Sequence, residues 1–112
     1  MVVGICRLSL YFAEASSLKA KRQLLRRIVE RSKAKFNAAV AEVGEQDTLQ
    51  RATVGISVVG NAESHVDSMI DSILGFVEGL YLGQILDVER EVLHYSETER
   101  LDGFGDWQEE EQ

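Results

Sequence analysis

Apolar and polar residues alternate along residues 2–12, with Cys6, Leu8, Leu10 and Phe12 on one side and Arg7, Ser9 and Tyr11 on the other. A period of two marks a strand with one covered face. Residues 13–17 read as a turn in which Ser16 or Ser17 caps the next element, because a hydroxyl accepts from a free N–H of the first helical turn. From 18 to 35 the period changes: Leu18, Leu25 and Ile28, with Leu24, Val29 and Phe36 drifting beside them, form a helical stripe. This segment holds no Gly or Pro and ends by Asn37. Residues 38–44 predict a short strand rich in small side chains, 45–51 a polar connection, and 52–60 the clearest strand, where Val54, Ile56 and Val58 alternate with Thr53, Gly55 and Ser57.

Asn61 is the expected cap of a second helix over 62–81, in which Val66, Met69, Ile70, Ile73, Leu74, Val77 and Leu80 recur at three and four. Glu63, Asp67, Asp71 and Glu78 make its outer face acidic. Gly75 and Gly79 lower helix propensity, which predicts close packing on a sheet, and Gly83 reads as the stop. Residues 84–94 predict a last strand with Leu86 and Val88 inward and Asp87, Glu89 and Glu91 outward.

The order is β-α-β-β-α-β. With right-handed crossovers it predicts an α+β ferredoxin-like plait: an antiparallel four-stranded sheet, both helices on one face, first and third strands central. The other face carries Arg7, Ser9, Tyr11, Thr53, Ser57, Asp87, Glu89 and Glu91, polar enough to stand in water. The domain spans residues 1–95, and 96–112 form an acidic tail expected to be disordered. Phe104 and Trp107 in it are left to dock on the domain, to meet a partner or to stay exposed.

Size agrees with a single domain. A chain of 112 residues buries about two thirds of its unfolded surface, enough for one two-layer core and not for a separate substrate domain. Cys6 is the only cysteine, so no internal disulfide forms; it reads as a small buried hydrophobe with no helix start or fixed cation beside it to lower its pKa. No apolar stretch reaches the roughly 18 residues of a membrane span, and the N-terminus shows no basic leader or cleavage site. No membrane partner and a reducing, cytoplasmic setting are expected.

Charge changes the picture. The net charge is −7, yet residues 1–36 hold nine Lys/Arg against two acids, while 37–112 hold three Arg against seventeen acids. An acidic chain argues against broad non-specific nucleic-acid binding but leaves room for a local basic site. Lys19, Arg22, Arg26 and Lys33 recur at three, four and seven, so they line one side of the first helix, and Lys21, Arg27, Arg31 and Lys35 widen the patch. Such a row contacts RNA or another polyanion at low salt; a solvated face partly neutralised by the tail, or a protein partner, stays open. Bases stack on aromatic residues of the central strands in RNA-binding plaits, and only Tyr11 is available there. A homodimer is the alternative, through a sheet edge or through the open face, with Arg7 of one copy against Glu89 or Glu91 of the other.

Glu42, Asp47, Gln50 and Arg51 gather at the connection between the middle strands, either as an anion or partner site using Arg51 or as a hydrogen-bonded turn. Catalytic patterns are missing. His65 and His94 have no serine or cysteine partner suggested by spacing. No His/Cys spacing suits a metal, and no glycine loop suits a phosphate. No enzyme, cofactor or metal site is expected.

Ser17-Leu18-Lys19-Ala20-Lys21-Arg22, Ala41-Glu42-Val43, Asp47-Thr48-Leu49-Gln50-Arg51-Ala52 and Val58-Val59-Gly60-Asn61 stand in an order that resembles the YlxP-like family, the bacterial domain of unknown function 503. The resemblance covers residues 1 to about 93 and rests on several linked motifs. It implies a ferredoxin-like fold and a bacterial cytoplasmic protein. Genes of the family often lie among those for transcription antitermination, translation initiation and ribosome maturation, which implies RNA or ribosome association. It supplies no catalytic residues, and the acidic tail extends beyond the family core.

Overall fold

The computed structural model describes residues 1–96. Strand β1 is Val2–Tyr11, helix α1 Leu18–Lys35, β2 Ala39–Gly44, β3 Arg51–Gly60, α2 Glu63–Gly79 and β4 Gln84–His94. The strands stand in the order β2-β3-β1-β4, every neighbouring pair antiparallel. Helix α2 packs on β1, β3 and β4, and α1 packs on β2 and on α2. This is the ferredoxin-like plait, with β1 and β3 central. Phe104 and Trp107, with the rest of the expected tail from 97 on, lie outside the described residues.

The period-two pattern of β1 and β3 decides which face is covered. Leu8 and Leu10 of β1, Phe12 just after it, and Val54 and Val58 of β3 are almost fully buried beneath the helices, where Ile28, Val66, Ile70, Ile73 and Val77 meet them. Each such aliphatic side chain contributes about 1.5–3 kcal/mol by leaving water. A one-residue slip would turn the whole set outward, so this burial also fixes the register. Ser17 caps α1, its hydroxyl accepting from the Ala20 N–H at 3.0 Å.

Helix α2 departs from the sequence reading at several points. Its N-cap is Ala62, with no side-chain cap, rather than Asn61; Glu63 in the first turn favours the helix dipole instead. Its end is made by Tyr81, held at φ 55°, and not by Gly83. Gly83 is needed elsewhere: a Cβ there would lie 2.7 Å from the Phe12 ring. Gly75 and Gly79 do not pack on the sheet, for no atom lies within 4 Å of a Cβ built at either. The close approach is made by Gly4 of β1, where a Cβ would collide with a Val66 methyl and stand 2.8 Å from Ile70 Cδ1.

Strand β4 corrects one more expectation. Leu86 is exposed, and Ile85 with Val88 packs against the core. The β1–β4 ladder pairs Ser9 with Asp87 and Leu10 with Ile85, so Leu86 is the extra residue of a bulge. A second bulge at Val43 interrupts β2 against β3.

An exposed glycine in a helix interior costs propensity without relieving any contact. Gly75→Ala is therefore expected to stabilise the fold by about 0.5–1 kcal/mol, read as a higher urea midpoint at unchanged slope. A loss of stability would show that Gly75 has a packing role.

Candidate functional site

Helix α1 is about 27 Å long at 1.5 Å per residue. At about 100° per residue, Lys19, Arg22, Arg26 and Lys33 fall within roughly 60° of its circumference, and all four are exposed. Little neutralises them. Arg22 lies 4.0 Å from Asp47 and Lys33 4.0 Å from Glu30, both solvent-exposed pairs of small worth. Lys19, Arg26, Arg27 and Arg31 make no ion pair with any described residue. Lys33 and Lys35 sit in the last turn, where the helix dipole favours cations. Lys35 also lies 5.3 Å from the Phe76 ring centroid, and Phe76 meets Phe36 edge-on at 5.5 Å, which ties the end of α1 to α2.

Lys21 does not belong to this row. It is 0 % exposed, and its Nζ donates to the carbonyl oxygens of Glu45 (2.9 Å), Gln46 (3.1 Å), Thr48 (2.6 Å) and Arg51 (3.0 Å). The buried face of α1 is Lys21, Leu25, Ile28 and Ser32, a four-three-four spacing whose first position is the lysine. Charge alone assigned it outward. The discoverable signal was its place four residues before Leu25 and seven before Ile28. A strandless loop nearby leaves carbonyls without ladder partners, and an ammonium offers three protons to them.

The Glu42–Asp47–Gln50–Arg51 group does not converge. Glu42 is half-buried in β2, with Oε2 buried and unpartnered. Asp47 faces Arg22 in solvent. Gln50 donates to the Ala13 oxygen at 3.0 Å and the Ala15 oxygen at 3.3 Å, and its own carbonyl accepts from the Phe12 N–H at 2.8 Å. Arg51 is exposed at the start of β3, with only its carbonyl turned to Lys21. Gln50 thus ties the β2–β3 loop to the β1–α1 turn.

The open sheet face is less polar than the alternation implied. Val59, Val3 and Leu93 form one cross-strand row, with Ile5 in the next. Val59 is 56 % exposed, Leu93 44 % and Ile5 38 %. Val43 leans over Gly55, where a Cβ would lie 3.0 Å from its Cγ1. Ile5, Val43 and Gly55, with Ala39 and Ala41, line a trough of about 740 Å³ beside that row, which Lys33 reaches at the β2 rim. Arg7 is not available for an intermolecular pair with Glu89, since its Nη2 already donates to both oxygens of Glu89 in the same chain at 2.8 Å. The sequence reading passed over Ile5, Val43, Val59 and Leu93 because only polar outward positions were weighed there.

Across the sheet, Arg90 joins β4 to α2. It donates to Asp71 Oδ1 at 2.6 Å and to Asp67 Oδ1 at 3.2 Å, and the Asp71 hydrogen bond foremost pushes its pKa above the ordinary arginine value. Arg90 also stands opposite Cys6 in the ladder. A cation beside the thiol was not expected. It lowers the thiol pKa in part, but desolvation dominates and the net shift is upward from 9.0. His94 Nε2 lies 2.9 Å from Glu63 Oε2 at the surface. Among the described residues, no cluster of three or more His, Cys, Asp or Glu is placed to hold a metal, and no helix is long and apolar enough to cross a membrane.

The family model described as "Protein of unknown function (DUF503)" matches residues 3–90. The chain belongs to the DUF503 family. It is 34 % identical over 77 residues to "Uncharacterized protein YlxP" of Bacillus subtilis (strain 168), covering 69 % of this chain and 84 % of that protein. Among solved structures it is similar to "Structural Genomics, protein YJCS", at a TM-score of 0.54 and 8 % identity over 82 % of this chain and 99 % of that one. It is also similar to a de novo designed protein with ferredoxin fold, LFR1 1, at 0.51 and 14 % identity over 85 % and 87 %. These structural likenesses show the fold, and the DUF503 match adds no activity to it.

Removing the Lys21 ammonium takes the donor from the partly buried carbonyls of Gln46, Thr48 and Arg51, while that of Glu45 keeps the Thr48 N–H. Lys21→Met is expected to lower stability by about 3 kcal/mol in urea unfolding, and Lys21→Arg to restore little, because a flat guanidinium cannot meet four converging oxygens as an ammonium does. An unperturbed midpoint in Lys21→Met would contradict the anchoring role. For Cys6, burial and the raised pKa predict negligible reaction with a thiol reagent at neutral pH until urea unfolds the chain. The protonated thiol favours the native state below its unfolded pKa, and that contribution is lost as pH rises through the higher folded value.

Proposed function

We propose that this DUF503 protein is a non-enzymatic accessory factor of the bacterial cytoplasm that contacts RNA or the ribosome through the outer face of α1. The observation that carries this reading is the exposed, largely unpaired row Lys19, Arg22, Arg26 and Lys33 on a chain of net charge −7. Self-repulsion along such a row is unfavourable unless a polyanion meets it. The acids elsewhere keep non-specific adhesion low and confine binding to this face. The sheet does not favour base stacking: Tyr11 is its one outward aromatic on the central strands, and Asp87, Glu89 and Glu91 of β4 would repel phosphate. Contact with the phosphates of structured RNA fits the helix better than readout of single-stranded bases.

The test is RNA binding across a salt series with the full chain. Affinity is expected to fall steeply with salt. The variant Lys19→Glu/Arg22→Glu/Arg26→Glu is expected to bind at least about tenfold more weakly at low salt, with the log–log salt slope reduced by about 2–3. Binding that is unchanged in this variant would remove the site from α1. A wild-type protein that binds no structured RNA at any salt would end the reading.

A further inference from the structure

We propose that the open sheet face seats a second copy of this chain, packed face to face about a two-fold axis that runs along the strands between β1 and β3. The two observations behind this are the extent of the face and the division of charge between its edges. Neither depends on RNA binding, which would use the outer face of α1, with Lys33 alone common to the two surfaces.

Strands β1, β3 and β4 of ten or eleven residues and β2 of six, about 4.8 Å apart, make a face on the order of 570 Å² before side-chain relief is counted. A standard interface takes about 800 Å² from each partner. Most of the face must therefore be used, which favours a broad flat occupant over a loop or a single helix. Its apolar end, the Val59–Val3–Leu93 row followed by Ile5, supplies the contact that excludes water. Another copy offers the same area and the same apolar row.

Charge selects the axis. The β2 rim of the trough is cationic through Lys33, and the β4 rim is acidic through Glu89 and Glu91. An axis along the strands exchanges the edges, so β2 of one copy lies over β4 of the other. Ala39, Ser57, Ile5 and Glu91 share one cross-strand row. The axis therefore carries Lys33, beside Ala39, over Glu91 of the second copy, and Ile5 over Ser57. Val3 likewise meets Val59. An axis across the strands would lay β4 on β4 and bring Glu91 toward its own kind with no cation opposite, Glu89 being met already by Arg7, which disfavours that docking. Aligned sheet packing keeps strand directions within about 30°, as the first axis requires.

Sedimentation equilibrium of the full chain over the micromolar to submillimolar range tests this. A monomer–dimer equilibrium is expected. Val59→Glu, at a site exposed in the single chain, should raise the dimer Kd at least about tenfold, equivalent to about 1.4 kcal/mol, with an unchanged circular dichroism spectrum and unchanged RNA binding. Lys33→Glu and Glu91→Lys should each weaken the dimer, and the double variant should regain most of the loss. A chain that stays monomeric throughout overturns the proposal, as does a dimer indifferent to Val59→Glu. A double variant no better than either single one overturns the axis. A monomer in which Val59→Glu shifts the fluorescence of Trp107, the sole tryptophan, would put residues 97–112 on the face instead and equally overturn the second copy.

Discussion

The position of α1 depends on one buried ammonium. A lysine taken out of water alone would lose its charge or unfold its surroundings. Lys21 keeps a full set of acceptors because three carbonyls of the β2–β3 loop and that of Arg51 at the start of β3 converge on it. The bond set closes a structure that apolar burial alone would leave weak, since only Leu25 and Ile28 among the helix's apolar residues are fully covered. The far end of α1 is held by Phe36 against Phe76, with Lys35 beside the rings. A helix fastened at both ends can carry charge along its middle. With Lys21 turned inward, Lys19, Arg22 and Arg26 are turned outward by helix geometry.

The second helix solves the opposite problem. It is apolar enough to be held by Val66, Ile70, Ile73 and Val77, all buried on the sheet. Its acids are less a solvated face than a partner for β4: Asp67 and Asp71 both receive Arg90, and Glu63 meets His94. This fastens an edge strand whose burial is otherwise slight, since Ile85, Val88 and Val92 are only partly covered. The acidic charge of the chain is in this way partly spent on its own architecture, while the cations of α1 are not.

The plait was legible because its signals are periodic and independent of partners. Period two in β1 and β3, period 3.6 in both helices and their order were enough to set the topology and most of the core. What escaped depends on where the chain meets itself. A bulge adds one residue to a strand without altering its composition, so Leu86 was assigned inward and Ile85 overlooked. Gly4 is a close-approach glycine only because Val66 and Ile70 descend on it, and Gly75 is not one although it sits in a helix. Lys21 was placed with the other cations because residue type outweighed position. The cationic row itself was legible, since exposure of a charged helix face needs no partner. The apolar end of the open sheet was not, because Val59 and Leu93 come from strands far apart in sequence and become a patch only across β1.

The two candidate surfaces lie on opposite layers, and this constrains how they act together. Face-to-face packing of the sheets, about 10 Å apart, leaves each α1 on an outer side of the pair, with the two helix axes on the order of 30 Å from one another. The cationic rows then point away from each other. Such a pair cannot grip one RNA helix from two sides, as a cleft would. It can only join two RNA segments or bind one segment with each copy independently. Dimerisation would therefore add little affinity for a short duplex, and a gain from linked sites requires an RNA, or a ribosomal surface, that folds back across that distance. Since Lys33 alone is common to the two proposed surfaces, charge reversal at Lys19, Arg22 and Arg26 and acid placed at Val59 would act on separable properties of one small domain.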